Sequence, residues 1–477
     1  MSEREHVVVV GAGVAGLATA LALGRTGRPV TLLERDRLPA LGDPEEAFAT
    51  ERRGAPQSHQ THGFLARVAV ELRSRFPDVL DALHEAGCTE LPVNLALGEP
   101  QPGDEDLRVL VMRRTTFEWV LRRAVLAEPA VTLRTGVGVV GLTTAGDRPD
   151  GRVRVDGVRL DDGTTLPADV VVAATGRRCP APSWLAEVGV ELPEVVHESG
   201  LVYMTRWYRL PEGGDLDLDP KLGGDLGYLK YLGVPGDGGT LSITLAVRTT
   251  DAPLRGALAD PDRFERACRA LPGPDQFFTR GPLTPIGGVR PMGGLVNRLR
   301  RYAGPDGEPI VLGLHAVGDA HTCTNPLYGR GCALALVQAG LLADAATAHP
   351  GDHRGRARAY EAACREHVEP WFDLAVQTDR TGADPTGFSP TGTSPQAKAL
   401  AALFVAGGSD PVVGRALARL WNLLDRPVDL AARPEVVARM AEVMSNPDDY
   451  PPPPSTAPTR AELLEVLGVT EEAATHA

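Results

Sequence analysis

The sequence is poor in lysine, in positive charge and in paired cysteines. Lysine occurs only at Lys221, Lys230 and Lys398, and 49 Lys+Arg against 62 Asp+Glu give a formal net charge of −13. Such an acidic chain lacks the broad positive field that non-specific binding to nucleic acid or an anionic membrane needs, so neither is expected as a partner. The six cysteines are scattered without a C-x-x-C pair. They indicate buried residues in a reducing cytosol, not a disulfide framework or a zinc site.

Aromatic residues are also few, at 5%, while the apolar fraction of 43% and the charged fraction of 23% are those of an ordinary globular protein. This composition excludes global disorder and collagen, and the length suggests about two to four domains. One uncharged run, residues 7–24, is long enough for a membrane span or a signal sequence. However, Glu3, Arg4 and Glu5 precede it and no small-residue cleavage site follows. We therefore expect a cytoplasmic protein without a membrane span.

A glycine-rich turn near the N-terminus has the pattern of a dinucleotide-binding βαβ unit. Residues 6–10 predict a buried strand and residues 14–23 an alanine-rich helix. Between them, Gly11, Gly13 and Gly16 form G-x-G-x-x-G, which permits a tight turn, close approach of a pyrophosphate and close packing of helix on strand. The helix N-terminus would add unpaired N–H groups and a positive dipole end.

An acidic residue follows the next predicted strand, residues 30–33. Glu34 stands about 20 residues after the turn, where a carboxylate can accept hydrogen bonds from the adenosine ribose. This device serves FAD and NAD equally, so the N-terminal motif leaves the two cofactors open. The residues predicted to contact the dinucleotide are Gly11, Ala12, Gly13, Val14, Ala15, Gly16, Glu34 and Arg35.

A second cofactor motif occupies residues 311–336. An apolar strand ends at Gly318-Asp319, a loop with Pro326 follows, and Gly329-x-Gly331 opens a helix. This segment resembles the motif G-D-A-x(5)-P-x-x-G-x-G of flavoprotein monooxygenases with the para-hydroxybenzoate hydroxylase fold. In that family the aspartate binds the ribityl chain of FAD, and the helix dipole stabilises negative charge on the reduced flavin. The resemblance implies FAD, held here by Gly318, Asp319, Pro326, Gly329, Arg330 and Gly331.

Other parts of the resemblance match unevenly. Arg114 stands at the start of a predicted helix, where the family has an arginine that reaches the FAD phosphates or ribityl chain. NADPH-using members have an aspartate at the position of Thr175, so direct reduction by NADPH is in doubt. Thr322 and Ala333 replace a common histidine and asparagine, which weakens the subfamily assignment more than FAD binding. Further cofactor contacts are predicted at Arg53, Val137, Thr175 and Gly176.

A narrower resemblance combines Thr175-Gly176 with residues 53–62, 199–203 and 325–329. These segments resemble bacterial natural-product flavoproteins, which include polyene epoxidases of polyether pathways and FAD-dependent decalin cyclases of spirotetronate pathways. His59 and His62 lie in the first of the segments. Without a nearby carboxylate or cysteine cluster they make a poor metal site, and no metal is expected.

The region before residue 285 has the period of an antiparallel sheet. Residues 241–248 alternate apolar and polar side chains, residues 236–239 resemble a hairpin loop, and residues 202–210 predict another strand. We expect this sheet to cover the reactive face of the flavin. The scarce aromatics concentrate here and in the second motif, and substrate contacts are predicted for Tyr203, Trp207, Tyr228 and Tyr328.

The predicted fold is α/β, a discontinuous Rossmann-like FAD-binding domain with an inserted antiparallel β-sheet substrate domain and a helical C-terminal region. The later part of the chain should bury Trp371, Phe372 and Val376, and Thr459 with Glu462 should form a capping box for a short last helix. The predicted segments are the FAD-binding domain (1–85, 109–185 and 285–345), an excursion toward the substrate domain (86–108), the substrate sheet (186–284), the helical region (346–445) and a proline-rich linker with the terminal helix (446–477).

The predicted function is that of an FAD-dependent oxidoreductase, specifically a monooxygenase of an apolar natural-product intermediate in bacterial secondary metabolism. By family resemblance, it would epoxidise or hydroxylate its substrate through a C4a-hydroperoxyflavin. Its partners would be the small-molecule substrate, O2 and either NADPH or a separate flavin reductase. The oxygen chemistry belongs to the cofactor, so no catalytic acid or base is named. The alternative is a non-redox FAD-dependent cyclase of a polyketide intermediate.

Overall fold

The computed structural model describes residues 5–93, 95–146, 151–211, 223–279, 281–383, 395–452 and 456–469. The domain segments above stay predictions. Lys221, Pro453, Pro454 and residues 1–4 and 470–477 lie outside the described residues. The strands, in chain order, are β1 (Val7–Val10), β2 (Val30–Glu34), β3 (Thr89–Pro92), β4 (Arg108–Val111), β5 (Val131–Thr135), β6 (Val139–Thr144), β7 (Val155–Leu160), β8 (Thr165–Pro167), β9 (Val170–Ala173), β10 (Glu194–Glu198), β11 (Leu201–Arg209), β12 (Gly223–Asp225), β13 (Leu229–Gly236), β14 (Thr240–Arg248), β15 (Thr284–Met292), β16 (Val296–Arg300), β17 (Leu314–Ala316) and β18 (Thr322–Cys323).

The helices lie mainly around the first sheet and in the last third of the chain. They are α1 (Val14–Arg25), α2 (Pro44–Ala49), α3 (Ala66–Arg75), α4 (Pro77–Glu85), α5 (Arg114–Ala127), α6 (Ala181–Glu187), α7 (Ala252–Leu258), α8 (Pro261–Ala270), α9 (Pro274–Thr279), α10 (Gly331–Ala348), α11 (His353–His367), α12 (Glu369–Ala383), α13 (Pro395–Gly407), α14 (Pro411–Trp421), α15 (Pro427–Ala431), α16 (Pro434–Ser445) and α17 (Arg460–Leu467). Among the described helices, α10 is long and apolar enough to cross a membrane, and most of it is buried inside the protein.

A parallel sheet of order β17-β9-β1-β2-β5 forms the centre of the fold. Strand β1 consists of four buried valines, and alternate valine side chains pack on opposite faces of the sheet. Val7 and Val9 pack with helices α1, α5 and α10, while Val8 and Val10 pack with the small sheet β6-β7-β8 and helix α6. A β-branched run buried on both faces is typical of a central parallel strand. The structure therefore confirms the α/β fold with a Rossmann-like layer.

The sequence of residues 131–140 alone predicts one buried strand that would complete the FAD sheet, and this prediction is wrong. Gly136 has a φ of 71°, a left-handed conformation that ends β5. Strand β6 then begins at Val139 and joins the small antiparallel sheet with β7 and β8, not the central parallel sheet. The side chains of β5 are also only half-buried or exposed, because it is the edge strand.

A second large sheet, of order β12-β13-β14-β11-β15, is antiparallel as predicted. Leu241, Ile243, Leu245 and Val247 share one buried face, which packs on helices α7, α8 and α17. On the opposite face, Thr205 and Trp207 of β11 contact Gln60 and His59. The hairpin between β13 and β14 is the predicted glycine-rich loop, and its Asp237 is buried against the start of α5.

The C-terminal region is helical, as predicted. Trp371, Phe372 and Val376 of α12 are buried. Helix α17 starts with the predicted capping box, in which the Thr459 and Glu462 side chains each accept a hydrogen bond from the other's backbone N–H. Its leucines pack on α8, so the last helix helps to close the outer face of the antiparallel sheet.

Candidate cofactor site

The glycine turn between β1 and α1 has little tolerance for side chains except at one position. A Cβ atom on Gly16 would lie 1.7 Å from the Gly11 carbonyl oxygen, whereas a Cβ atom on Gly13 would meet nothing within 4 Å. Gly11 itself has a φ of 103°. Since no side chain caps the N-terminus of α1, its N–H groups face the open space at Gly13. This cradle fits a pyrophosphate.

The side chain of Glu34, at the end of β2, is hydrogen-bonded to the glycine turn. Its carboxylate accepts hydrogen bonds from the backbone N–H groups of Ala12 and Asp36, each at 2.9 Å. The Arg52 guanidinium lies 3.1 Å from the same carboxylate and also contacts Glu118. Sequence reasoning named Arg53, but Arg53 is exposed and it is Arg52 that reaches Glu34. Two consecutive arginines gave no signal to separate them.

A cavity of about 360 Å³ opens beside the Glu34–Arg52 pair. Burial lowers the pKa of Arg52 and of Arg122, which indicates a low-dielectric wall with positive charge. Thr115 contributes a buried hydroxyl that, among the described residues, has no hydrogen-bond partner. Arg35, predicted at the cofactor, lines this cavity although most of its side chain is exposed. The other lining residues are Asp36, Arg37, Leu38, Pro39, Leu41, Ala47, Thr50, Glu51, Arg52, Arg53, Ser58, Glu118, Trp119 and Arg122.

The second motif places Asp319 in the turn after β17, beside the start of α10. Gly318 has a φ of 60° and its N–H donates to the Gln338 side chain, which fixes the end of the strand-to-helix turn. Asp319 is half-buried, and a Cβ atom on Gly331 would lie 3.9 Å from its carboxylate. Burial raises the pKa of Asp319, although the guanidinium groups of Arg114 and Arg177 oppose that shift. A half-buried carboxylate with unused acceptor capacity suits sugar-like hydroxyls.

Arg114, the first residue of α5, lies between the two motifs. Its guanidinium is 3.3 Å from His62 Nε2, and its buried Nε atom has no partner within the ranges that the structure describes. Burial and the Arg114 charge lower the pKa of His62 to about 3, so His62 is neutral at physiological pH. Because His62 Nδ1 lies 2.9 Å from the Gln60 carbonyl oxygen, Nδ1 carries the proton and Nε2 accepts from Arg114.

Thr175 and Gly176 lie beside the glycine turn. The buried Thr175 hydroxyl has no hydrogen-bond partner in the described part of the chain, and a Cβ atom on Gly11 would come within 3.3 Å of the Thr175 backbone. Val137 donates its backbone N–H to the Glu34 carbonyl oxygen, at the same edge of the sheet. The orphaned atoms of Arg114, Thr115 and Thr175 are those that a bound ligand would satisfy, so the residues present fit a flavin dinucleotide.

Two of the four predicted substrate residues, Tyr203 and Tyr328, lie at the second motif, and a third, Trp207, packs against residues 48 and 59. Tyr203 donates to the Asn325 side chain at 2.5 Å, and Tyr328 lies in the loop of the motif itself. Trp207 donates to the His59 carbonyl oxygen at 2.7 Å. Tyr228 is not brought together with them, because its hydroxyl donates to the Pro458 carbonyl oxygen beside α17.

A polar network joins the antiparallel sheet to residues 57–62, and sequence reasoning missed it. The hydroxyl of Thr205 on β11 lies 2.7 Å from the Gln60 amide oxygen and 2.6 Å from the hydroxyl of Thr244 on β14. Thr244 contacts the Thr61 hydroxyl at 2.7 Å. The alternation of polar residues along the strands was visible in the sequence, but their partners in a distant segment were not.

Residues 6–89 match the family model described as FAD dependent oxidoreductase. That match covers the glycine turn, Glu34 and the segment that contains Arg52, which are the features that fit a flavin dinucleotide. The protein is an FAD-dependent oxidoreductase. FAD, predicted from the second motif, is thus its cofactor, and NAD alone is no longer an alternative.

Curated relatives align with most of the oxidoreductase chain. Protein Rv3254 of Mycobacterium tuberculosis is 29% identical over 465 residues, covering 88% of this chain and 90% of the relative. Kynurenine 3-monooxygenase of Salinispora arenicola is 29% identical over 395 residues, covering 78% of this chain and 79% of the relative.

Solved structures share the fold at lower identity. The p-nitrophenol 4-monooxygenase PnpA of Pseudomonas putida has a TM-score of 0.61 at 19% identity, covering 90% of this chain and 100% of that one. The Diels-Alderase PyrE3 of the pyrroindomycin pathway has a TM-score of 0.58 at 16% identity, covering 88% and 81%. The combination of a Rossmann-type FAD layer, antiparallel sheet and C-terminal helices is therefore a known flavoprotein architecture.

We expect Asp319→Ala to weaken FAD binding by about tenfold to a hundredfold, because the flavin chain would lose charge-assisted hydrogen bonds to the carboxylate. Fluorescence quenching of FAD during titration of the apoprotein measures the effect. Asp306→Ala, which removes an exposed-loop carboxylate away from the turn, is the control. Unchanged affinity in the Asp319 variant would contradict the assignment of this carboxylate to the cofactor.

Proposed function

We propose that this FAD-dependent oxidoreductase is a monooxygenase that acts on an apolar small molecule with O2 as co-substrate. The observation that carries the proposal is an apolar cluster where the antiparallel sheet meets the loop of the second motif. Tyr203 and Ala246 of the sheet pack there with Leu295, and Leu327 of the loop packs against them. An apolar wall beside the loop of the second motif suits a substrate with little charge.

The residues of the chain would bind and orient FAD and shield the reaction site from water. Gly13 and the start of α1 would receive the pyrophosphate, Glu34 the ribose and Asp319 the ribityl chain. FAD, when bound and reduced, supplies the activation of O2 and the transfer of one oxygen atom to the substrate. The start of α10 would place its positive dipole end toward negative charge on the flavin. The antiparallel sheet would cover the reaction site and exclude water.

Similarity in sequence supports the monooxygenase class. The kynurenine 3-monooxygenase relative is named for an oxygen-transfer reaction, and it aligns with more than three quarters of this chain. For the finer assignment, we infer epoxidation or hydroxylation of a natural-product intermediate. That inference depends on the resemblance of residues 53–62, 199–203 and 325–329 to bacterial tailoring flavoproteins, and so does the role in antibiotic biosynthesis. A cytoplasmic location remains part of this proposal.

The electrons that reduce the flavin must come from an external donor. Thr175 stands where NADPH-using members of the resembled family have an aspartate, and its hydroxyl has no partner among the residues that the structure describes. Arg177 follows two residues later and donates to the Gly294 carbonyl oxygen. We propose either slow direct reduction by NADPH or reduction by a separate flavin reductase.

The alternative is a non-redox cyclase in which oxidised FAD shapes the pocket. Thr175 favours it, since a cyclase needs no hydride donor, and PyrE3, a Diels-Alderase, has the same fold. A cyclase would lower the barrier by holding one substrate conformation.

The deciding experiment records the flavin spectrum under anaerobic conditions before and after NADPH, first alone and then with a flavin reductase. A monooxygenase should lose its flavin absorbance in at least one condition and regain it when O2 is admitted. Flavin that stays oxidised in both conditions, together with substrate turnover in the absence of any reductant, would replace the monooxygenase with the cyclase.

A further inference from the structure

One carboxylate of the C-terminal helical region reaches the loop of the second motif. Asp379 of α12 accepts hydrogen bonds from the Tyr328 hydroxyl at 2.5 Å and from the Asn325 amide at 2.9 Å, both at Oδ1. Its Oδ2 accepts from the Asn297 amide at 2.6 Å. Tyr328 and Asn325 belong to residues 325–331, called the cofactor loop below. No sequence motif pointed to Asp379.

The neighbouring amides have fixed orientations, so an acceptor is required at position 379. The Asn325 oxygen accepts from the Tyr203 hydroxyl at 2.5 Å and from the Leu327 N–H at 3.1 Å. The Asn297 oxygen accepts from the Asn325 N–H at 2.7 Å. Both amide NH2 groups are therefore left to donate to Asp379, and both asparagines are fully buried. The Asp379 carboxylate thus links α12, the cofactor loop and, through Tyr203, the antiparallel sheet.

The same carboxylate faces a buried positive charge. Arg330 of the cofactor loop is 3% exposed, and its guanidinium lies over the rings of Tyr328 and Trp371 at 4.8 and 5.8 Å. Burial lowers the pKa of Arg330 to about 10, while Tyr328 and the Asp379 charge oppose the shift. Arg330 donates to the Trp371 carbonyl oxygen at 3.1 Å. The Asp379 charge acts on Arg330 through space.

We propose that Asp379 is a positioning residue that holds the cofactor loop in the conformation that receives the flavin ring. This inference rests on the proposed placement of the flavin against residues 325–331. Asp379 touches neither the expected pyrophosphate site nor Asp319, so its effect should fall on the ring environment more than on anchoring of the dinucleotide. The C-terminal helical region is then part of the cofactor site.

The test compares Asp379→Asn with Asp379→Glu and Asp373→Asn. Asp373 is an exposed carboxylate on the same helix, which makes it the matched control. We expect Asp379→Asn to shift and broaden the visible bands of bound FAD and to weaken FAD binding about tenfold. Amide hydrogen exchange of the cofactor loop in the apoprotein should be faster. Asp379→Glu should restore part of both properties, and Asp373→Asn should match the wild type.

Tyr328→Phe keeps the ring and removes only the hydroxyl bond to Asp379, so it serves if Asp379→Asn does not fold. It should produce a smaller change of the same spectrum. Wild-type spectra and exchange rates in both Asp379→Asn and Tyr328→Phe, with wild-type protein that binds FAD, would overturn this inference alone. Wild-type protein that remains colourless after reconstitution with FAD would overturn the cofactor placement and this inference together.

Discussion

Gly13→Ala is expected to weaken FAD binding by about a hundredfold or more while the apoprotein folds normally. The added methyl group meets no protein atom within 4 Å, so the fold should tolerate it. It would, however, occupy the space over the N-terminus of α1 where the pyrophosphate approaches the backbone, and the loss of several phosphate hydrogen bonds carries a cost of this order. FAD titration and the thermal unfolding curve of the apoprotein measure the two properties separately.

Gly16→Ala is the matched comparison, because its methyl group would collide with the Gly11 carbonyl oxygen. This variant should lose stability as an apoprotein, by at least about 1–3 kcal/mol, since backbone must move to relieve the contact. A Gly13 variant that binds FAD like the wild type, or a Gly16 variant as stable as the Gly13 variant, would be incompatible with the described turn.

Asp237→Ala should cause the largest loss of stability. Asp237, from the β13–β14 hairpin, accepts three hydrogen bonds from Arg113, two from the guanidinium and one from the backbone, and a fourth from Thr116. Arg113 is 1% exposed. Its buried charge would lose its main partner, and removal of one member of a buried ion pair costs about 3–5 kcal/mol. The urea midpoint of unfolding should fall accordingly.

Glu45→Ala supplies the control at the same guanidinium. Glu45 also lies 2.7 Å from Arg113 but is half-exposed, so its removal should cost less than about 1 kcal/mol. If both variants lowered the midpoint equally, burial would not be the source of the Asp237 effect.

Local patterns predicted the parts of the cofactor layer that depend on neighbours in sequence. The glycine turn, Glu34 and the start of α5 at Arg114 all follow from short-range spacing, and the structure has each element where it was expected. The period-2 alternation of residues 241–248 likewise predicted which side chains of β14 form the core. In each case a turn or a buried face restricts the residue types at positions only a few residues apart, so the pattern is visible in the sequence.

Features that depend on distant partners could not be read in this way. Arg52 and Arg53 are equivalent in sequence, and only the packing of α5 decides that Arg52 meets Glu34 and Glu118. Asp379 lies 51 residues from Tyr328 along the chain. Residues 131–140 contain two glycines, Gly136 and Gly138, and the sequence alone does not show that the chain takes a left-handed conformation at Gly136 and ends the strand there.

The most direct test of the account is the visible absorption spectrum of the purified protein after incubation with FAD and removal of free cofactor. We predict flavin bands that correspond to about one FAD per chain, and their loss or strong reduction in Gly13→Ala and Asp319→Ala. A colourless wild-type protein, or flavin retained at wild-type level in both variants, would contradict FAD binding at Gly13 and Asp319.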